Sequence, residues 1–262
     1  MARLALEFVS LERSILNDPN FRMLKQTTDL RKKFGVIDVE FSSVPLDLPE
    51  PSVFGPLVLF QVCVKDYHSE ETLLDELVNF LPDEYAHDPL GYLRKVNPKN
   101  SQRALESLGR VHKMTVADTA ECNSALAERL RDCSPIAEIT ADLAAIAREL
   151  QAKDGRWVAY GDSPEPGLLK KLQLHCGPAV FPPIEVLNGL AILRFIATHT
   201  RGKYYKDGEP STKVPCSLGG AYAAMTGAVM PDAHIASGDC IGTIRVLKGI
   251  QECRERCEAK SR

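Results

Sequence analysis

The sequence predicts an α+β chain that is predominantly helical. A short β-sheet with helices belongs to an N-terminal region, residues 1–99, and a bundle-like, mainly helical region follows over 100–262. Three observations lead there. Two β-branched, aromatic-rich runs, "VIDVEFSSV" and "PLVLFQVCV", lie close together early in the chain. From Asn100 onward, apolar residues recur mostly at intervals of three and four, the spacing of one helix face. Four prolines and a glycine crowd the connection between the two early runs.

The elements follow in order. Leu4, Leu6, Val9, Leu11 and Ile15 predict an opening helix. A second, short helix starts at Asp18-Pro19, a cap followed by a residue suited to the first helical position, and stops at Gly35. "VIDVEFSSV" places Ile37, Val39 and Phe41 on one side of a strand. The linker "PLDLPEPSVFGP" carries four prolines and cannot donate to a sheet ladder, so it reads as a loop before the strand "PLVLFQVCV". Leu73, Leu74, Leu77 and Phe80 predict a helix after Ser69, and "LPDEYAHDPLG" reads as a loop.

In the second half, Cys122, Leu126, Leu130 and Cys133 mark one helix. Ile136, Ile139, Leu143, Ile146 and Leu150 mark another, at spacings of three, four, three and four. The two predict a helical hairpin turning at Ser134-Pro135. "RWVAYG" reads as a short strand, Ser163-Pro164 opens a helix ending near Gly177, and Pro182-Pro183 opens one ending near Gly202. A last helix starts near Asp239, and its apolar stripe accounts for Cys253 and Cys257, one turn apart.

Composition bounds the function. Apolar residues make up 44% and charged residues 26%, the balance of a soluble globular protein. A net charge of −3 excludes a wholly basic coat but allows a local basic patch. Eight cysteines without a CxxC pair point to a reducing, intracellular and cytoplasmic setting, with neither zinc nor a disulfide framework. Glu7 and Glu12 interrupt the apolar core a signal peptide needs, and no apolar run reaches the roughly 18 residues of a membrane span.

Two functional classes follow. The first is a non-enzymatic binding or assembly protein, with RNA or another nucleic acid as its partner. A nucleocapsid, a viral structural protein or a ribonucleoprotein component would fit, and an acidic protein partner or self-assembly into an oligomer is also open. The residues behind it are Arg94, Lys95, Lys99 and Arg103, within a run from Arg94 to Lys113 that holds six Lys/Arg against one Glu. Arg201, Lys203 and Lys206 around Tyr204 and Tyr205 add cations for phosphates and rings for base stacking. The alternative is a small hydrolase or transferase with Cys216 as nucleophile and His199 or His234 as base, needing backbone donors from Gly219 and Gly220.

Small residues spaced by four, Gly220 with Ala224 and Ala224 with Ala228, give those glycines a packing role instead. No GxGxxG, GxxxxGK[ST] or HExxH occurs, and the six histidines are dispersed. The sequence therefore indicates no cofactor and no metal.

Overall fold

A computed structural model describes residues 19–44, 52–114, 123–161, 164–199, 204–206, 209–211 and 215–260. Its centre is a six-stranded mixed sheet in the order β4-β3-β2-β1-β5-β6. β1 (Phe34–Ser43), β2 (Leu57–Asp66) and β3 (Thr72–Asn79) form an antiparallel meander. β4 (Ser134–Pro135) adds in parallel to the end of β3. On the other side of β1, β5 (Arg156–Ala159) and then β6 (Val186–Asn188) add in parallel. A separate two-stranded hairpin pairs β7 (Tyr204–Lys206) with β8 (Glu209–Ser211).

Both faces of the sheet are covered by helices. Ile37, Val39, Val62 and Val64 point to one face. They share a core with Leu105 and Leu108 of α3 (Ser101–Val111), which follows α2 (Pro89–Val96), and with Leu126 and Leu130 of α4 (Asn123–Arg131). Ile139, Leu143 and Leu150 of α5 (Ile136–Ala152) and Leu168 and Leu172 of α6 (Glu165–Cys176) complete that core. Phe34, Val36, Cys63 and Val158 point to the other face. They meet Leu24 of α1 (Pro19–Gln26), Ile192 and Leu193 of α7 (Gly189–His199), Ala221 and Ala224 of α8 (Leu218–Thr226), and the apolar stripe of α9 (Ala236–Lys260). Each fully buried aliphatic side chain in these cores contributes roughly 1.5–3 kcal/mol.

This architecture corrects the predominantly helical α+β fold expected from the sequence: the chain is α/β. The sheet is not confined to the first 99 residues, since β4, β5 and β6 all come from beyond residue 100. The apolar seam of α5 buries against Ile37 and Val39 of the central strand, not in a bundle. The late strands span only two to four residues, too few to display an alternation.

Four local expectations also change. The segment after Ser69 is strand β3: its buried Leu74 and Val78 lie four apart, a spacing that fits a helix or a strand equally. Ser134-Pro135 pairs with Val78 and Asn79 as β4, with α4 and α5 on either side of it. The segment after Pro182-Pro183 first forms β6 and becomes helical only at Gly189. α1 ends at Gln26, and Gly35 already lies inside β1, against the ring of Trp157. The expected helix over Leu4–Ile15 and the cap at Asp18 lie outside the described residues.

The small-residue stretch forms α8. Ser217 caps it by accepting from the Gly220 N–H (3.2 Å), and Gly227 ends it at φ 73°. Its buried Ala221 and Ala224 lie against α9, where a Cβ on Gly249 would come within 3.0 Å of Met225 Cβ. Among the described residues, no helix is long and apolar enough to cross a membrane. Cys63, Cys133, Cys176, Cys216, Cys240 and Cys253 are not in disulfides.

Candidate metal centre

β1 keeps its parallel partner only from Phe34 to Val36. β5 ends at Ala159, and the chain returns as α6, whose first residue is Glu165. The carboxyl-terminal half of β1 is left without a parallel strand neighbour among the described residues, and this gap is the crevice. It lies where the strand order switches direction, the usual place for a ligand site in an open α/β sheet. Period-two geometry puts Asp38 and Glu40 on the same face of β1 as Phe34 and Val36. A bulge between Glu40 and Phe41 then changes the register with β2.

The start of α9 closes over that face. Gln61, opposite Glu40 in the ladder, accepts a hydrogen bond from the Ala236 N–H (3.1 Å) and donates to Asp75 Oδ1 (2.7 Å). One turn on, Cys240 Sγ donates to the carbonyls of Val36 (3.3 Å) and Cys63 (3.5 Å). Between these anchors α9 presents Asp239. Carboxylate oxygens of Asp38, Glu40 and Asp239 all lie within 4.8 Å of one another. Glu165 is buried beside them, and the backbone N–H groups of Glu165 and Val39 face its carboxylate.

Asp38, Glu40 and Asp239 thus converge, Glu165 is near enough for its charge to act on Asp38 and Glu40, and each of the four holds its proton more tightly than usual. Asp38 is pushed well above the ordinary carboxylate range by burial, then by Glu165, Asp239 and Glu40. Burial pushes Glu40 up to about 7, with Asp239 adding to the rise; Ser107 and Arg110 oppose it. Glu165 is pushed up to about 7, again mainly by burial, against the pull of the two N–H groups. Asp239 is raised by burial and drawn back by the His234 N–H and imidazole. Among the described residues no ion pair closes on any of the four, and no hydrogen bond reaches the Asp38 carboxylate.

Carboxylates packed this closely are stable only when protonated or when they share cations. An all-oxygen donor set suits hard divalent ions such as Mg²⁺ or Mn²⁺. Asp38, Glu40, Asp239 and Glu165 could hold them.

His234 stands at the mouth. It is exposed, and its backbone N–H donates to Asp239 Oδ1 (3.3 Å). Both Asp232 and His234 adopt positive φ (49° and 64°), so the turn before α9 holds an uncommon conformation that orients this histidine. α3 forms another wall. Ser107 donates to Glu40 Oε2 (3.2 Å), and exposed Arg110, one turn later, is near enough for its charge to act on Glu40.

The residues expected from the sequence are distributed unevenly around this centre. Arg94 and Lys95 are exposed in the last turn of α2, Lys95 over the Tyr85 ring (4.9 Å); Lys99 is exposed in the α2–α3 connection and Arg103 on α3. Arg103 lies one turn before Ser107, on the helix side that faces Glu40. Tyr204, Tyr205 and Lys206 form β7, while Arg201 and Lys203 lie outside the described residues.

Cys216 is held through its carbonyl by the Tyr160 hydroxyl (2.9 Å). His234 is engaged with Asp239, and His199 ends α7. Sequence reasoning named His234 but assigned it to Cys216, offered Asp239 only as one of two acids that could orient an imidazole there, and passed over Asp38, Glu40 and Glu165. It placed Ile37, Val39 and Phe41 on one side of β1 and gave Asp38 and Glu40 no role. The available signal was two acids in a strand with apolar runs on both sides of it, and an acid five residues after a histidine at a helix start. No family model, curated protein or solved structure matches this chain.

Proposed function

We propose that this chain is a divalent-metal-dependent phosphodiesterase that hydrolyses nucleic-acid strands. The observation behind the reading is the convergence of Asp38, Glu40, Glu165 and Asp239 without a counter-cation. Metal ions bound by such carboxylates polarise a phosphoryl oxygen and stabilise the attacking and leaving oxygens of an in-line displacement. His234 takes the proton of the attacking water as its oxygen bonds to phosphorus. The departing sugar oxygen then leaves with a proton from solvent. Asp239 orients His234 through the turn between them. Glu165, fixed by two backbone N–H groups, closes the floor.

The nucleic-acid partner expected from the sequence is retained, now with a hydrolytic centre. Arg110 and Arg103 on α3 hold backbone phosphates beside Glu40, and Lys99, Lys95 and Arg94 extend the cationic approach. The test uses the purified chain and a labelled single-stranded oligonucleotide. Cleavage should require Mg²⁺ or Mn²⁺ and stop on chelation. His234→Ala should lower kcat by about 10²–10⁴-fold and leave the Mn²⁺ affinity within a factor of two or so. Absence of Mn²⁺ binding by calorimetry would refute the reading. So would cleavage that survives both chelation and loss of Asp38.

A further inference from the structure

The β3 side of the sheet ends in an open edge. β2 pairs with β3 from Thr72 to Leu77, whereas β4 on the opposite side reaches only Val78 and Asn79. Over Thr72–Leu77, alternate backbone N–H and C=O groups therefore point outward with no strand beside them among the described residues. A groove of about 510 Å³ runs along this edge, between β3 and α5. Leu74 and Ile146, both almost fully buried, and Ala145 give it an apolar lining. Three carboxylates also line it: exposed Asp75 and Asp142, and half-buried Glu76. Asp75 accepts from Gln61 Nε2 (2.7 Å) and Glu76 from the Ser134 hydroxyl (2.7 Å), so neutral donors hold both in place. Among the described residues no ion pair closes on any of the three. The nearby cation, Lys65, donates to the Thr72 hydroxyl instead (2.6 Å).

We propose that this edge takes up an extended, lysine- or arginine-rich segment of a partner protein as an added strand. Unpaired backbone groups on an edge strand are a template for such addition, and the charge selects the partner. A second copy pairing edge to edge would set these acids against their own equivalents, and like charges facing each other across a ladder repel. A basic segment meets them with the opposite sign. Period-two geometry puts Leu74, Glu76 and Val78 on the α5 side of β3 and Asp75 on the other side. On the α5 side, long cationic side chains lay their methylene stems on Leu74, Ala145 and Ile146 and carry their charges to Glu76 and Asp142. On the other side they meet Asp75. β4 sets one limit of the added strand, because it already occupies the edge at Val78 and Asn79. Thr72–Leu77 then leaves room for about 20 Å of extended chain.

The test uses the full chain and fluorescent hexapeptides followed by anisotropy at low salt. One alternates Lys with Val, and a second carries Glu in place of Lys. Two more are the Lys–Val peptide N-methylated on alternate amides, in either phase. The Lys–Val peptide should bind saturably and the Glu–Val peptide should not. Both methylated peptides keep every charge, but only one loses the N–H groups that face β3, so that one alone should bind at least about tenfold more weakly. Asp142→Lys, an exposed change on α5, should weaken the Lys–Val peptide at least about fivefold. Asp38→Asn, in the crevice, should leave its affinity within about a factor of two. Absence of saturable Lys–Val binding overturns the proposal, and sedimentation of the chain as a dimer would then assign the edge to a second copy. Equal affinities of the two methylated peptides also overturn it, since charge alone would then account for the binding. So does a loss of binding in Asp38→Asn, which would place the peptide in the crevice. Metal-dependent cleavage is read separately, with the oligonucleotide, and stands or falls by itself.

Discussion

The two ends of β1 treat charge in opposite ways. At its amino-terminal end, Asp154 meets both Lys32 and Arg156, Arg156 also meets Glu185 (3.0 Å), and Lys33 meets Glu149 (2.7 Å). These groups reach solvent, and hydrogen bonds from Lys32 and Arg156 hold the Asp154 carboxyl below the usual range. At the carboxyl-terminal end, Asp38, Glu40, Glu165 and Asp239 face one another with their acidities weakened. The first end completes its own charge balance with protein cations. The second does not, and the difference is the ground for proposing it as the place that takes ions from solution. Exposed pairs contribute little either way, whereas enclosed like charges store repulsion that a bound divalent ion releases.

The comparison breaks most directly at Asp38. Asp38→Asn should lower metal-dependent cleavage by at least about 10³-fold, since it removes a ligand from the reacting centre. It should also raise the melting temperature of the metal-free protein at neutral pH, because an amide cannot ionise and the cost of keeping this carboxyl protonated on folding is gone. A melting temperature that falls, with activity retained, would mean that the four acids are an ordinary buried network.

How much of this was legible in the sequence depends on the element. β1, β2, β5, α5, α6 and α9 follow from runs and spacings that one segment carries by itself. β3, β4 and β6 do not, because short strands are recognised by the neighbour they pair with. Ser134-Pro135 has no strand character until Val78 and Asn79 lie beside it. The site was harder still. Asp38 and Glu165 are 127 positions apart in the chain, and only the departure of β5 after Ala159 brings them together. Residue types with strong signatures, cysteine and histidine, drew attention to Cys216. Carboxylates, common on every surface, became informative only once their burial was known.

Acidity sharpens the contrast between the two ends. Glu40 and Glu165 have an ordinary value of 4.5 and a folded value of about 7, so the folded state binds their protons more tightly. Stability from these groups is complete below 4.5 and is lost as pH rises through 7. The melting temperature of the metal-free protein should therefore fall across that window. Saturating Mg²⁺ or Mn²⁺ should flatten the decline by replacing the protons. Asp154 has the opposite sign: its contribution is present above its ordinary value of 3.8 and fades as pH falls. A metal-free melting temperature that rises from pH 5 to 8 would contradict the assignment of the crevice acids.

A smaller effect should come from α8, which supports the crevice without touching it. Ala224 is 2% exposed against α9, the helix that brings in Asp239. Ala224→Leu should destabilise the fold by about 1–3 kcal/mol through overpacking. Because α9 is anchored through Gln61 and Cys240 at its start, the added bulk should also loosen Mn²⁺ binding measurably. Unchanged stability together with unchanged metal affinity would show that the Ala224 face is not tightly packed.

The smallest effect should lie at the completed end of β1. Asp154→Asn removes the acceptor shared by Lys32 and Arg156, yet Arg156 keeps Glu185 and the Gly155 carbonyl (2.8 Å). Both cations retain access to water, so neither becomes a buried, uncompensated charge. The change should leave the melting temperature at neutral pH, the Mn²⁺ affinity and the cleavage rate unmoved within error. The matched substitution, Asp38→Asn, changes the same chemical group toward the other end of β1 and should move all three. If the two variants behave alike, exposure and pairing do not separate the ends of β1, and the crevice loses its claim to be the site. If only Asp38→Asn acts, the charge that the fold leaves unbalanced is the one the chemistry uses.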